Sequence, residues 1–452
     1  MSVLISILSF VVALGILVTV HEFGHFWVAR RCGVKVLRFS VGFGKPLLSF
    51  YRKNDPTEYV IAGIPLGGYV KMLDESESTV ESHEKHMAFN NKPLIQRILV
   101  VLAGPAFNFI FAILAFWLIL TMGEKGLRPV IGELDKAGVA IESGLEIGDE
   151  ITAVNDHPAT IWRVANGLIL SELLDSGFVE VTVLKPGGNI VKRHLSLADG
   201  VSIEPELLNK HVGITPQVPP LLPVLNKVLE GEPADRAGLQ QGDLILSVDE
   251  KAISSWGDWV EITRSSPNTK LSIKVERKGT VFFTNVTPVE VEDGGEIVGR
   301  IGASVHIDES INEQYTTLYA LGPLDGVIES IRLTTHYSVL TLKMIGRMLI
   351  GTASVENLSG PISIAKYAGQ TASFGLVPFL KFLAFVSISL GVMNLLPIPM
   401  LDGGHLLFYI IEGIRGKALS EQVMQMSMRI GMSVLFAVMI LAVFVDLNRF
   451  LT

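Results

Sequence analysis

His21, Glu22 and His25 stand in an H-E-x-x-H pattern, His21-Glu22-Phe23-Gly24-His25. On a helix, residues four apart share a face, so both imidazoles can point at one ion. Glu22 lies beside that face, placed to reach a water on the metal and not the metal itself. Neutral imidazole suits zinc, and zinc lowers the pKa of a bound water to about 7. A carboxylate there can take the water's proton, direct attack on a peptide carbonyl and return a proton to the leaving amine. A catalytic zinc keeps three protein ligands and one open position, so two histidines leave the set one ligand short.

Few side chains are candidates for the third place. Asp402 is the sole carboxylate between Leu376 and Ile411, and burying it would require a partner or a metal. Pro397 and Pro399 break any helix before it, and Gly403-Gly404 let the backbone turn back, which would aim Asp402 inward. His405 is a rival ligand, for which we expect instead the role of a satisfied interfacial histidine. His83 and His86 fall in a polar loop and read as solvated. Gly42-Phe43-Gly44-Lys45 lacks the first glycine and the Ser/Thr of a phosphate loop.

The elements that must carry these residues read as membrane helices. The 452 residues are 49% hydrophobic and only 18% charged, against about 25% charged in soluble domains. Apolar segments at 2–20, 98–122, 377–400 (with Lys381 its one charge) and 432–445 each suit a span; about 20 residues cross a hydrocarbon core. Residues 424–430 could lengthen the last despite Arg429. The first segment has no basic n-region and no A-x-A site, so it reads as a retained span and not a signal peptide. His and Glu at the end of such a span are costly, which favours a functional role. Arg30, Arg31, Lys35, Arg38, Lys45, Arg52, Lys53, Lys71 and Arg97 all follow span one and none precedes it, which places that loop in the cytoplasm. Both termini and the long insert after span two then lie outside it. A formal charge of −8 excludes a general nucleic-acid binder. Cys32 is the single cysteine, so the insert must hold together by packing without disulfides.

Within the insert, 143–156 aligns with 237–250 at a constant offset of 94 residues. Gly144, Leu145, Gly148, Asp149, Ile151 and Val154 recur as Gly238, Leu239, Gly242, Asp243, Ile245 and Val248. Each Gly-Asp pair supplies a turn and the apolar alternation after it a strand. The pattern resembles PDZ domains in the circularly permuted form of bacterial envelope proteases. Such folds can bind peptides by strand addition or simply restrict access to a membrane site, and both readings stand. Helical periodicity follows over 321–350, with 315–349 a candidate amphipathic helix, and Gly360-Pro361 opens a new element. In the first loop, 36–43 and 59–72 alternate like strands, kinked by Gly63, Pro65, Gly67 and Gly68.

Taken in order, several segments resemble the site-2 protease family of intramembrane zinc metalloproteases over essentially the whole chain. They are His21–His25, Gly42-Phe43-Gly44, Gly67-Gly68-Tyr69-Val70-Lys71-Met72, Phe89-Asn90-Asn91-Lys92, the tandem repeat and Asn394 to His405. The resemblance implies Zn2+ on His21, His25 and Asp402, with Glu22 as acid and base. It implies that Asn394 holds the substrate backbone, beside a β-loop at 36–72 that offers Gly67, Gly68 and Tyr69. The implied substrates are single-span membrane proteins: an anti-sigma factor that restrains an envelope-stress sigma factor, and remnant signal peptides. The lipid bilayer is the other partner, and the place is the inner membrane of a Gram-negative cell. The expected fold is a multi-pass α-helical membrane protein with four transmembrane helices, a membrane-associated β-loop and two inserted periplasmic PDZ (α+β) domains. Its parts are 1–122 (spans one and two), 123–220 and 221–310 (the PDZ pair), 311–376 (connecting helices) and 377–452 (spans three and four). A transporter would spread polar groups over several spans with repeat symmetry, whereas here they converge on two motifs. A dead scaffold need not keep both histidines, Glu22 and Asp402.

Overall fold

The computed structural model describes residues 3–451 apart from 54, 77–78, 198–209, 294–295, 306–312 and 352–359. It divides into two compact units, Met1–Gly123 with Ala320–Leu451, and Glu124–Tyr319.

In the first unit, α1 spans Val3–Arg31. The apolar run at 2–20 continues as helix through the motif, with six residues following His25 before the helix ends. Polar side chains at 21–25 interrupt the hydropathy pattern and not the helix, because every amide in lipid must be bonded within its own segment. The chain then forms a hairpin of two long strands, β1 (Val36–Tyr51) and β2 (Glu58–Met72). Its register shifts repeatedly: Ser40 faces both Tyr69 and Val60, and Phe50 faces Tyr59. Residues 36–41 therefore lie between 68–72 and 58–61, so two strands make a small folded sheet. Asp55 pins the turn side. Burial opposes its charged form, but the Thr57 amide and hydroxyl, Arg30 and the Tyr59 hydroxyl hold its carboxyl down to about 2.

Helix α2 (Leu94–Met122) begins directly after Pro93 and is the hub of this unit. Helix α1 crosses it where Gly24 meets Ala103, whose carbonyl would lie 2.4 Å from any added Cβ; small residues permit such approach in lipid. Helix α3 is Pro323–Leu349, α4 is Pro361–Ser373 and α5 is Leu376–Leu395. Ala112, Ala115, Phe116 and Ile119 of α2 interlock with Ala384, Ile388 and Val392 of α5, and Leu383 of α5 meets Ala13 and Leu17 of α1. The helix expected over 315–349 starts later, at Pro323, because Thr316–Tyr319 pairs as a strand with Glu124–Leu127. Helix α3 buries Ser330 and Thr334 while exposing Leu324, Ile328 and Ile331, the polarity suited to lipid. Helix α5 stops at Leu395, earlier than the apolar run to Met400 suggested, since the residue before a proline disfavours the helical region.

Helices α6 (Asp402–Arg415) and α7 (Glu421–Leu451) complete the unit. Four helices among the described residues are long and apolar enough to cross a membrane: Leu4–Arg31, Leu94–Met122, Leu376–Leu395 and Gln422–Leu447. The last is bound to α4 by Asp446. Its fully buried carboxylate accepts from the backbone amides of Gly360, Ile362 and Ser363 and from the Ser363 hydroxyl, at 2.6–3.1 Å. These amides are the orphan donors of a helix start, which carries partial positive charge.

The second unit repeats one design. Glu150–Val154, His157–Pro158 and the helix start at Trp162 recur 94 residues on as Leu244–Val248, Lys251–Ala252 and Trp256. The four-stranded sheets have the same order. In the first, His157–Pro158 lies beside Glu150–Val154, then Phe178–Leu184, then Ile190–Ser196; in the second, Lys251–Ala252, Leu244–Val248, Leu271–Arg277 and Thr280–Val286 follow suit. Each sheet packs its helix over its own core, one around Ile151, Ile169 and Val181, the other around Ile245, Trp259 and Ile273. The repeated aspartates do more than turn the chain. Both are fully buried, Asp149 facing Lys185 and Asp243 facing Arg277.

Replacing Asp446 by alanine leaves three helix-start amides without their acceptor. We expect a loss of about 2–4 kcal/mol, read as a lower unfolding temperature of the detergent-solubilised chain.

Candidate metal centre

Helix α1 presents His21 and His25 on one face, and α6 begins with Asp402. The Nε2 atoms of the two histidines are 3.3 Å apart, and Asp402 Oδ2 lies 3.3 Å from His21 Nε2 and 3.4 Å from His25 Nε2. Among the described residues, these three form the single group of His, Cys, Asp and Glu with ligand atoms so convergent. His405 stands outside it, one turn further along α6 with its ring edge-on to Phe408, and the exposed His83 pairs with Glu81.

The donor set fits a zinc ion. A tetrahedron with metal–ligand bonds of about 2.0–2.1 Å has edges of about 3.3–3.4 Å, the spacing found here. Proton inventory points the same way. Nδ1 of His25 lies 2.8 Å from the Val100 carbonyl, which can only accept, so in the neutral ring that nitrogen carries the hydrogen. Its Nε2 then turns a lone pair toward Asp402 Oδ2, a buried oxygen with no hydrogen bond of proper geometry. Acceptors facing one another at this distance call for a cation. Space is also kept for the rings: a Cβ on Gly104 of α2 would fall 2.2 Å from His25 Nε2 and 2.7 Å from His21 Cε1.

Asp402 is delivered by a tight loop. Gly403 and Gly404 press on the backbone of 395–399, where an added Cβ would come within 2.2–2.4 Å of carbonyl oxygens of Leu396 and Ile398. Arg97 of α2 holds the far end of α6 through a two-pronged ion pair with Glu412, at 2.6 and 3.1 Å, and lies over the Tyr409 ring.

Glu22 faces the hairpin. A Cβ on Gly68 would lie 3.1 Å from Glu22 Cγ and 2.7 Å from Val18 Cγ1, so only glycine lets the strand come this close. The Val70 backbone amide is in hydrogen-bonding reach of the Glu22 carboxylate. Tyr69 stacks on Phe43 and accepts a bond from Arg38 at 3.1 Å, while Gly67 sits against the Phe43 ring at φ +123°. Asn394 is half-buried at the end of α5, eight residues before Asp402.

Residues 9–438 match peptidase family M50. The chain belongs to peptidase family M50. It is a zinc metalloprotease of the site-2 type. Its relatives span the full length. The regulator of sigma-E protease RseP of Escherichia coli K12 is 42% identical over 454 residues, covering 99% of this chain and 100% of the relative. The protease RseP of Yersinia pestis gives the same identity and coverage, and a regulator of sigma E protease of Haemophilus influenzae is 40% identical over 451 residues. Among solved structures, the PDZ domain of a Listeria monocytogenes SdrC-like protein covers 20% of this chain at 19% identity with a TM-score of 0.17, too slight a likeness to carry the fold.

The M50 site also contains residues that sequence reading passed over: Gly104, the Val100 carbonyl and Asn108, whose Nδ2 atom lies 3.1 Å from His21 Nδ1. A signal for Asn108 was present, since it is an amide within an otherwise apolar span.

Gly104→Ala should abolish zinc binding while leaving the chain folded. Metal analysis of the purified variant is expected to fall from about one zinc per chain to near none; a full complement would mean the rings are not confined as described.

Proposed function

We propose that this chain hydrolyses peptide bonds within the transmembrane segments of single-span membrane proteins. The proposal assigns zinc to His21, His25 and Asp402 and the proton transfers to Glu22. The observation that carries it is the convergence of those three ligand atoms beside a carboxylate that α1 turns toward an open-edged strand. Zinc, when bound, supplies Lewis acidity that polarises a peptide carbonyl and acidifies water. Glu22 takes the proton of the attacking water and passes it to the departing amine. Helix α1 holds that carboxylate next to the ligands without making it one, and Val70 orients it.

A membrane helix has its carbonyls bonded internally, and unwinding it in lipid leaves those groups unpaired. We assign the hairpin the task of replacing them. Residues 67–70 run past Glu22, and an unwound substrate strand added along that edge would regain backbone bonds as it enters the site. Gly67, Gly68 and Tyr69 line this path, and to Asn394, at the end of α5, we assign the holding of the substrate backbone. The exposed Leu47, Leu48, Phe50 and Ile64 of the hairpin suit immersion in lipid.

The relatives' names speak of sigma-E regulation. We carry that to this chain as the reading that one substrate is an anti-sigma factor of the envelope stress response, with remnant signal peptides a second class. The two repeated α+β sheets we read as periplasmic PDZ domains, at 123–220 and 221–310, admitting substrates already trimmed outside the inner membrane. The basic residues after α1 support a reading in which the site lies toward the cytoplasmic side.

Glu22→Gln keeps the shape and loses the base. Cleavage of a tagged single-span substrate should fall at least about 100-fold while zinc content stays at the wild-type level. Equal cleavage by both enzymes would sink the mechanism. Tyr69→Pro should cut the rate by at least about tenfold with zinc retained, because proline in this paired strand distorts the 67–70 segment to which a substrate would add; an unchanged rate would refute strand addition.

A further inference from the structure

Both metal-facing histidines use their other ring nitrogen, but in different ways. For His25 the partner is the Val100 carbonyl, which settles the tautomer. For His21 it is the side-chain amide of Asn108, fully buried in α2. With Nδ2 toward the ring, the amide would donate to His21 Nδ1, forcing the hydrogen onto Nε2, the atom that points at Asp402. That arrangement also leaves Asn108 Oδ1 buried without a partner. Oxygen and nitrogen of an amide are assigned by their hydrogen bonds, and turning the group by 180° exchanges them.

We propose that Asn108 is a positioning residue for the metal: its Oδ1 accepts the Nδ1 hydrogen of His21, which fixes the ring's rotation and frees Nε2 as a ligand. The inference rests on the ligand set proposed above and extends it beyond the ligands themselves. Two observations give the amide the stiffness this needs. Ser387 of α5 donates its hydroxyl to the Asn108 backbone carbonyl at 2.8 Å, and both residues are fully buried. Gly104, one turn earlier on α2, lies flat against both imidazoles. A single turn of α2 thus makes room for the rings and orients them, and α5 holds that turn in register. The two histidines end in one protonation state, each with its hydrogen on Nδ1 given to an oxygen of α2. Outer partners of this kind raise ligand basicity and typically change metal affinity by about 10–100-fold.

The test is zinc affinity of the full-length, detergent-solubilised chain, measured by competition with a chromophoric chelator. Unfolding temperature of the zinc-free protein is followed in parallel. Asn108→Leu keeps the volume and removes the acceptor; it should weaken zinc binding by about 10–100-fold with the zinc-free unfolding temperature near wild type. Asn108→Asp restores an acceptor and should bind zinc at least as tightly as wild type. Wild-type affinity in Asn108→Leu would overturn the proposal, as would a loss in Asn108→Asp equal to that in Asn108→Leu. Should the leucine variant fail to fold, the aspartate variant decides alone: affinity kept supports the role, and a tenfold loss refutes it. His21→Ala separates this from the ligand assignment, because zinc retained there would refute His21 as a ligand, whatever Asn108 does.

Discussion

Two imidazole nitrogens and a carboxylate oxygen are held 3.3–3.4 Å apart, and when all three turn lone pairs inward only a cation among them relieves the repulsion. The rest of the first unit can be understood as the means of enforcing that contact. Helix α1 supplies two of the atoms by helical spacing alone. The third must come from a distant part of the chain, so α2 serves as the common surface on which α1, α5 and α6 are placed. Each joint is close because a small residue allows it: Gly24 on Ala103, Gly104 under the rings, Gly403 on the loop before it.

Lipid sharpens these requirements. A polar group without a partner costs several kcal/mol in hydrocarbon, and the polar groups of these spans are accordingly shared across helices. Asp446 serves the start of α4, Arg97 and Glu412 serve each other, and Ser387 serves the Asn108 carbonyl. Helix packing and polar satisfaction are therefore one problem here, and its solution also fixes the carboxylate proposed as the base. Glu22 belongs to the helix that carries two ligands, yet its immediate surroundings come from the hairpin strand at Gly68 and Val70.

The features legible in the sequence were those with a local rule behind them. H-E-x-x-H declares itself through helical spacing, Asp402 through its isolation among apolar residues, and the repeat through a fixed offset that its strands and helix starts keep to the residue. What escaped has no local rule. One such feature is how far the first helix runs past its apolar segment, to Arg31. Thr316–Tyr319 became a strand because its partner is Glu124–Leu127, nearly two hundred positions away. Gly104 and Asn108 look like ordinary residues of an apolar span until α1 is laid against them. The buried Asp149 and Asp243 passed as turn residues because their cations arrive from far along the chain, Lys185 just past the end of the third strand of its sheet and Arg277 at the end of its own.

The distance along the chain between His25 and Asp402, 377 residues, also has a meaning in time. At a synthesis rate of about 5–20 residues per second, roughly 20–75 seconds separate the appearance of the second ligand from that of the third. Throughout that interval the growing chain would hold the proposed base and two of the three proposed ligands among spans of its own that have just entered the bilayer. On the ligand set proposed above, it could not cut them before Asp402 arrives. With Asp402 as the proposed third ligand, synthesis past that residue becomes the condition for the chain's own activity.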